Sequence, residues 1–174
     1  IQADIKSVTA MGGFAMTAVT AITVQNTLGV HGIHEVPVEI IAAQMKAVLE
    51  DIGADAVKTG MLHSAEIVEA VAARLSDETA PPFLVVDPVM IAKGGASLLE
   101  GSAVAVLKEV LIPLATLVTP NLPEAEVLTG RKIADVEGQK AAADALLGHG
   151  CEAVLVKGGH LPGDLIFDVL ATQE

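Results

Sequence analysis

Four short stretches carry side chains whose types and spacing could do chemistry. In Thr119-Pro-Asn-Leu-Pro-Glu124 an amide and a carboxylate stand three residues apart. Asp87 follows the apolar run Phe83-Leu-Val-Val86 and precedes a proline, where a carboxylate could bind a metal ion or orient a nucleophile. Lys157-Gly-Gly159 follows Ala153-Val-Leu-Val156, and a lysine beside glycines whose amides can approach an anion closely suits a phosphate. Gln25, Asn26 and Met61 suggest a small flat ligand, with amides for hydrogen bonds and a thioether to lie on a ring. Each has a plainer structural reading. Asn121 can cap a helix whose first turn welcomes Glu124, and Asp87 can cap a turn. Lys157 can be a surface lysine, Gln25 and Asn26 loop caps, and Met61 core.

The elements that must position these residues follow from the pattern of the chain. The run 115–118 reads as a buried strand, Thr119-Pro120-Asn121 breaks it, and Pro123 starts a helix. Asn121 and Glu124 therefore sit where a strand's carboxyl end meets a helix N-terminus, the edge at which open α/β sheets bind ligands. Ahead of this stretch, helical spacing covers 1–11 and Gly12-Gly13 stops it. Residues 14–24 are rich in β-branched types and read as a strand, followed by a loop through Gly29, His31, Gly32 and His34. Pro37 opens a helix to about residue 52, 56–61 is a short strand, and Ser64 caps a helix over 65–75. The strand 83–86 leads to a loop containing Lys93-Gly94-Gly95 and a helix over 102–111. After Gly130 come a helix over 136–147, a strand over 153–156, a turn over 161–164 and a strand over 166–170. Strands alternating with helices predict an α/β domain with a mainly parallel sheet. The strand ends near Gln25, Gly60, Asp87, Asn121 and Lys157 are expected along one edge of that sheet.

Composition agrees with that architecture. The 174 residues suit a single domain, 1–174, and 52% are hydrophobic while only 2% are aromatic. A core of Val, Ile, Leu and Ala fits a parallel sheet covered by helices on both faces. The net charge of −12 argues against nucleic acid or an anionic membrane as partner. No apolar run approaches the length of a membrane span, and the lone Cys151, a small apolar filler, offers no disulfide framework, so a cytoplasmic location is expected. The histidines at 31, 34, 63, 149 and 160 show no metal-ligand spacing. A chain this acidic repels phosphate on average. Two unit charges about 4 Å apart interact by about 4 kcal/mol at an effective dielectric of about 20. Lys157 and a divalent ion held by Asp87 and Glu124 would reverse the sign locally.

Six segments come in an order that resembles a known family: Gln2-Ala-Asp-Ile-Lys6, Thr20-Ala-Ile-Thr-Val-Gln-Asn-Thr27, Val57-Lys-Thr-Gly-Met61, Val86-Asp-Pro-Val-Met90, Thr119-Pro-Asn-Leu-Pro-Glu124 and Val156-Lys-Gly-Gly-His160. Together they resemble the hydroxymethylpyrimidine/phosphomethylpyrimidine kinases of thiamine biosynthesis, which are ribokinase-like. The resemblance covers essentially the whole chain. It implies a three-layer α/β/α sandwich, ATP and Mg²⁺ as cofactors, a small pyrimidine substrate and a homodimer. It further implies that Asp4, Gln25, Met61 and Val89 contact the pyrimidine, with Met61 against the ring. Asn121 and Glu124 match the N-x-x-E motif near metal and phosphates, Asp87 a metal-site carboxylate, and Lys157 a phosphate contact. The family's glycine-rich first loop is expected before Ile1, and its Gly-Thr-Gly-Cys-type anion-hole segment, with the catalytic side chain, after Glu174. The domain is therefore expected to be incomplete at both ends, and no catalytic residue is assigned within it. Without that segment the chain is expected to have no useful kinase activity. The competing expectations are a pyridoxal kinase and a noncatalytic ligand-binding α/β domain.

Overall fold

The computed structural model describes residues 1–77, 80–90, 98–161 and 164–173. Helix α1 (Gln2–Ala10) comes first, followed by an irregular stretch and a hairpin of β1 (Ala21–Gln25) and β2 (Val30–Glu35). Helix α2 (Val38–Asp51) starts directly after Pro37, its N-cap, whose missing amide costs nothing because the first amides of a helix have no intrahelical acceptor. There follow β3 (Val57–Thr59), α3 (Ala65–Leu75), β4 (Leu84–Val86) and α4 (Gly101–Val106). The chain continues with β5 (Leu117–Val118), α5 (Leu122–Thr129), α6 (Val136–Leu147), β6 (Ala153–Val156) and β7 (Val169–Thr172).

Strands β3 to β7 form one sheet in sequential order, parallel from β3 to β6 and closed by an antiparallel β7. Helices α2 and α4 both pack on α3, while α5 packs on α6 and α6 on β6 and β7. The expected sandwich with a mainly parallel centre is the architecture found. Its centre is aliphatic: Val86, Val118, Val154 and Val156 from the strands are fully buried with Ile67, Val68, Leu128 and Leu146 from the helices. Each such Leu or Ile contributes roughly 1.5–3 kcal/mol of burial, so aliphatic packing suffices where aromatics are missing. Cys151 belongs to this core, its thiol 3.6 Å from the Leu146 carbonyl and its pKa pushed up by burial.

Several expectations need correction. The strand expected over 14–24 starts only at Ala21, and the expected loop through Gly29 to His34 is strand β2. Residues such as His31, Gly32 and His34 have poor strand propensity, and cross-strand pairing to β1 overrides it. More consequentially, β1 and β2 form a separate two-stranded sheet, so Gln25 is not on the ligand edge of the main sheet. The expected helix over 102–111 is α-helical only to Val106. It widens into a π turn at Leu107–Leu111 and tightens into a 3-10 turn at Ile112–Leu114, where Pro113 cannot donate to the helical ladder. The last strand is shifted to Val169–Thr172. Just before it, the Phe167 carbonyl accepts from Gln139 and the Asp168 carboxylate from Gly158, which draws these residues out of the ladder. Ser64 stands at the N-cap of α3 without a side-chain capping bond. The Lys93-Gly94-Gly95 loop and part of the 161–164 turn lie outside the described residues.

Gly158 illustrates how tightly β6 leaves the sheet. A Cβ there would run into the Phe167 carbonyl oxygen and crowd the Gln139 side-chain nitrogen at 3.1 Å. Gly158→Ala should lower stability by about 1–3 kcal/mol, the usual cost of overpacking, read as a fall in Tm.

Candidate active site

The carboxyl ends of the parallel strands are held in line by backbone hydrogen bonds that extend past the strands themselves. The Asp87 amide donates to the Thr59 carbonyl at 3.2 Å, Thr119 to Val86 at 2.9 Å, and Lys157 to Pro120 at 2.8 Å. Asn121 and Lys157 form a further parallel bridge. Gly60, Asp87, Asn121 and Lys157 thus occupy one edge, as the alternation of strands and helices predicts.

Asp87 is the electrostatic centre of that edge. Its Oδ1 receives Lys157 Nζ at 3.0 Å and the Thr119 hydroxyl at 3.4 Å. Its Oδ2 lies 3.2 Å from Lys58 Nζ, and the same ammonium reaches Asp4 Oδ1 at 3.2 Å. A chain of alternating charge therefore runs Asp4–Lys58–Asp87–Lys157, joining helix α1 to the middle of β3 and to the residues just past β4 and β6. Partial burial opposes the charge on Asp4, and Lys58 favours it. Lys58 is the site residue that sequence reasoning missed. It lies within the quoted Val57-Lys-Thr-Gly-Met61 segment, but as a mid-strand lysine it carries no spacing signal. Its role appears only when β3 and β4 pair with Lys58 opposite Val85.

Asn121 and Glu124 adopt the structural reading in full. The Asn121 side-chain oxygen accepts from the Glu124 amide at 2.9 Å, and the Glu124 carboxylate accepts from the Asn121 amide at 2.8 Å, a reciprocal capping box. The same contact buries Glu124 to 5% exposure. Burial pushes its pKa up; the Asn121 amide and Lys157 pull against this, the Asp87 charge adds to it, and the Met90 amide again opposes it. The capping box thus fixes a carboxylate within electrostatic reach of both Asp87 and Lys157. Because the folded protein holds the Glu124 proton more tightly than the unfolded chain, this group favours folding most below its ordinary pKa. That contribution is lost as pH climbs toward the raised folded value. The stability of the native protein relative to Glu124→Gln should therefore fall as pH rises from about 4.3 through that window, as read from Tm against pH for both.

The remaining expected residues divide. Val89 lines a cavity of about 10 Å³, room for one water, together with Thr59, Gly60 and Asp87. The Thr59 hydroxyl is buried there without a hydrogen-bond partner among the described residues. Met61 is half-buried, and its carbonyl accepts from the Thr20 hydroxyl at 2.7 Å, which ties the base of the β1–β2 hairpin to the loop after β3. Gln25 is exposed at the far end of β1 from Thr20. Asn26 is a turn residue: its side-chain oxygen accepts from the Leu28 and Gly29 amides at 2.9 and 3.1 Å. Of the two glycines after Lys157, Gly158 already donates its amide to Asp168 at 2.9 Å. Its missing Cβ makes room for Phe167 rather than for an anion.

Comparison with known proteins bears on this arrangement. A family model described as phosphomethylpyrimidine kinase matches residues 1–174. The hydroxymethylpyrimidine/phosphomethylpyrimidine kinase of Bacillus subtilis is 52% identical over 173 residues, covering 97% of this chain and 64% of its own. A crystal structure of phosphomethylpyrimidine kinase from Clostridium difficile superposes with a TM-score of 0.89 at 45% identity, covering 99% of this chain and 74% of that one. A pyridoxal kinase from Staphylococcus aureus, solved with AMP-PCP and pyridoxal, superposes with a TM-score of 0.87 at 33% identity, over 98% of this chain and 61% of that one. The chain thus spans less than two thirds of the length of the Bacillus relative. With a family match over its entire length and about half its residues shared with a named member, the chain belongs to the phosphomethylpyrimidine kinase family.

Proposed function

We propose that the protein to which this chain belongs catalyses ATP-dependent phosphorylation of 4-amino-5-hydroxymethyl-2-methylpyrimidine, its monophosphate, or both, in thiamine biosynthesis. The observation that carries this reading is the line of Lys58, Asp87 and Lys157 along one sheet edge beside the buried Glu124. In an acidic protein this edge concentrates lysines where a polyphosphate would lie. Two names support the substrate: the Bacillus relative is called a kinase of this pyrimidine, and the pyridoxal kinase is less similar.

In this proposal Asp4, Gln25, Met61 and Val89 bind the pyrimidine, which requires the hairpin carrying Gln25 to meet the edge formed by Gly60 and Val89. Asn121 and Lys157 bind the nucleotide phosphates, with Lys157 exchanging its bond to Asp87 for one to a phosphate oxygen. Its side chain is 40% exposed, so it can make that exchange without unfolding the edge. Asp87 and Glu124 hold Mg²⁺, directly or through water. Two neighbouring carboxylates, one of them buried and with a raised pKa, are a donor set that suits a hard cation. Magnesium, when bound, would offset the charge on the phosphates. The active protein is proposed to be a cytoplasmic homodimer. No helix among the described residues is long and apolar enough to cross a membrane.

The full-length protein with ATP, Mg²⁺ and the hydroxymethylpyrimidine tests the proposal directly. Formation of ADP and a phosphate monoester, at a kcat/KM well above that for pyridoxal, is the expected result. Turnover of pyridoxal alone would move the substrate assignment, and pyrimidine binding without ADP would favour a noncatalytic binder. A finer test is Asp4→Asn, expected to raise the pyrimidine KM with little change in the KM for ATP. Equal damage to both would mean that Asp4 only anchors α1 through Lys58.

A further inference from the structure

Away from the proposed phosphate edge, Glu35, His63 and Glu100 bring three ligand atoms within 4.8 Å of one another. They come from three segments: the end of β2, the loop after β3, and the residue preceding α4. His63 Nδ1 lies 2.9 Å from the Leu98 carbonyl. A carbonyl only accepts, so Nδ1 carries the proton. In the neutral ring this leaves Nε2 as an acceptor, 3.3 Å from Glu35 Oε1. Two acceptors this close repel each other, and a proton on Nε2 or a metal ion shared by both would offset that repulsion. The spacing suits a metal. Ligands about 2.0–2.1 Å from a tetrahedral zinc ion stand about 3.3 Å from one another. The Leu98 carbonyl also occupies the position that orients a metal-bound imidazole through its other nitrogen.

The backbone reinforces the placement. His63 has φ +62°, an uncommon value for a residue other than glycine, and its carbonyl accepts from the Glu100 amide at 2.8 Å. That bond ties the segment bearing the third carboxylate to the imidazole. Glu100 is exposed, so rotation of its side chain is enough to complete a three-ligand face with one position open to water.

We infer that Glu35, His63 and Glu100 form a binding site for a divalent transition metal of the zinc class, which clamps the β1–β2 hairpin to the loop after β3 and the start of α4. One imidazole with two carboxylates suits zinc or cobalt and is unlike the all-oxygen set that magnesium takes. The site shares no residue with the magnesium site proposed above.

The test is calorimetric titration of the full-length protein with Zn²⁺ in millimolar Mg²⁺, alongside Co²⁺ absorption, for the native protein, His63→Ala, Glu35→Gln and Glu100→Gln. The inference expects one equivalent that survives Mg²⁺, is lost in His63→Ala, and weakens by at least about tenfold in each glutamine variant. A Zn²⁺-dependent rise in Tm should disappear in His63→Ala. Glu35→Gln at the exposed strand end keeps the test valid should His63→Ala fold poorly. Absence of saturable Zn²⁺ binding, or binding unchanged in the variants, would leave a protonated histidine paired with Glu35 and overturn the inference.

Discussion

Lys157→Met in the full-length protein is expected to lower kcat/KM for ATP by about 100-fold or more, the scale lost when one preorganised group facing transition-state charge is removed. The ammonium stands 3.0 Å from Asp87 Oδ1 at the end of β6, on a backbone tied to Pro120. It is one of only two lysines in contact with Asp87 among the described residues, in a chain of net charge −12. Methionine keeps the length and apolar stem of the side chain while deleting its charge, so the fold should persist. The pyrimidine KM should move little, because Lys157 is assigned to phosphate. If Lys157 serves only as a counter-ion for Asp87, the variant will lose some Tm and keep its kinetics. Steady-state kinetics varying each substrate separately, with Tm measured in parallel, distinguishes the two.

Asp87→Asn should be as damaging, for a different reason. Asparagine has nearly the same shape and still accepts from the Thr119 hydroxyl, but it no longer neutralises Lys58 and Lys157. Lys58 retains Asp4 as its partner, whereas Lys157 is left with no ion-pair partner among the described residues. Without the carboxylate the edge holds two lysines close together and offers a magnesium ion one ligand fewer. A fall in kcat of about 100-fold is expected, with a smaller effect on the KM for the pyrimidine. The companion variant Lys58→Met keeps the Asp87–Lys157 pair and should cost less in kcat. Reversal of that ranking would make Lys58, not Asp87, the organising charge.

How much of this was readable from the chain differs from element to element. Helix α6 and strand β6 were legible to the residue, because a twelve-residue amphipathic run between Asp135 and Gly148 and a four-residue aliphatic run admit few alternatives. The ligand edge was legible through its breakers, since Asp87-Pro88 and Thr119-Pro120 end strands by removing amide donors. The hairpin was not. Its second strand carries Gly32 and two histidines and is stabilised by pairing with β1, a nonlocal term that periodicity does not register. Asn121 and Glu124 show a different limit. In the sequence capping and function are rival readings, yet the capping box is what buries Glu124 beside Asp87 and Lys157. Lys58 was invisible as a site residue because its meaning lies in two partners, Asp4 and Asp87, far from it in sequence.

The central claim is that the strand ends at Asp87, Asn121 and Lys157, with Glu124, make a single metal-assisted phosphate site. The most direct test is kcat as a function of Mg²⁺ concentration in the full-length protein, comparing native, Asp87→Asn and Glu124→Gln. Glutamine at 124 can still accept from the Asn121 amide, so the helix start is largely kept and a kinetic change cannot be ascribed to its loss. The account predicts that both variants need roughly tenfold or more Mg²⁺ for half-maximal rate, or lose most of kcat at saturation, while pyrimidine binding stays near native. Magnesium curves superimposable on the native one, accompanied only by a lower Tm, would contradict it and leave these acids as parts of the scaffold.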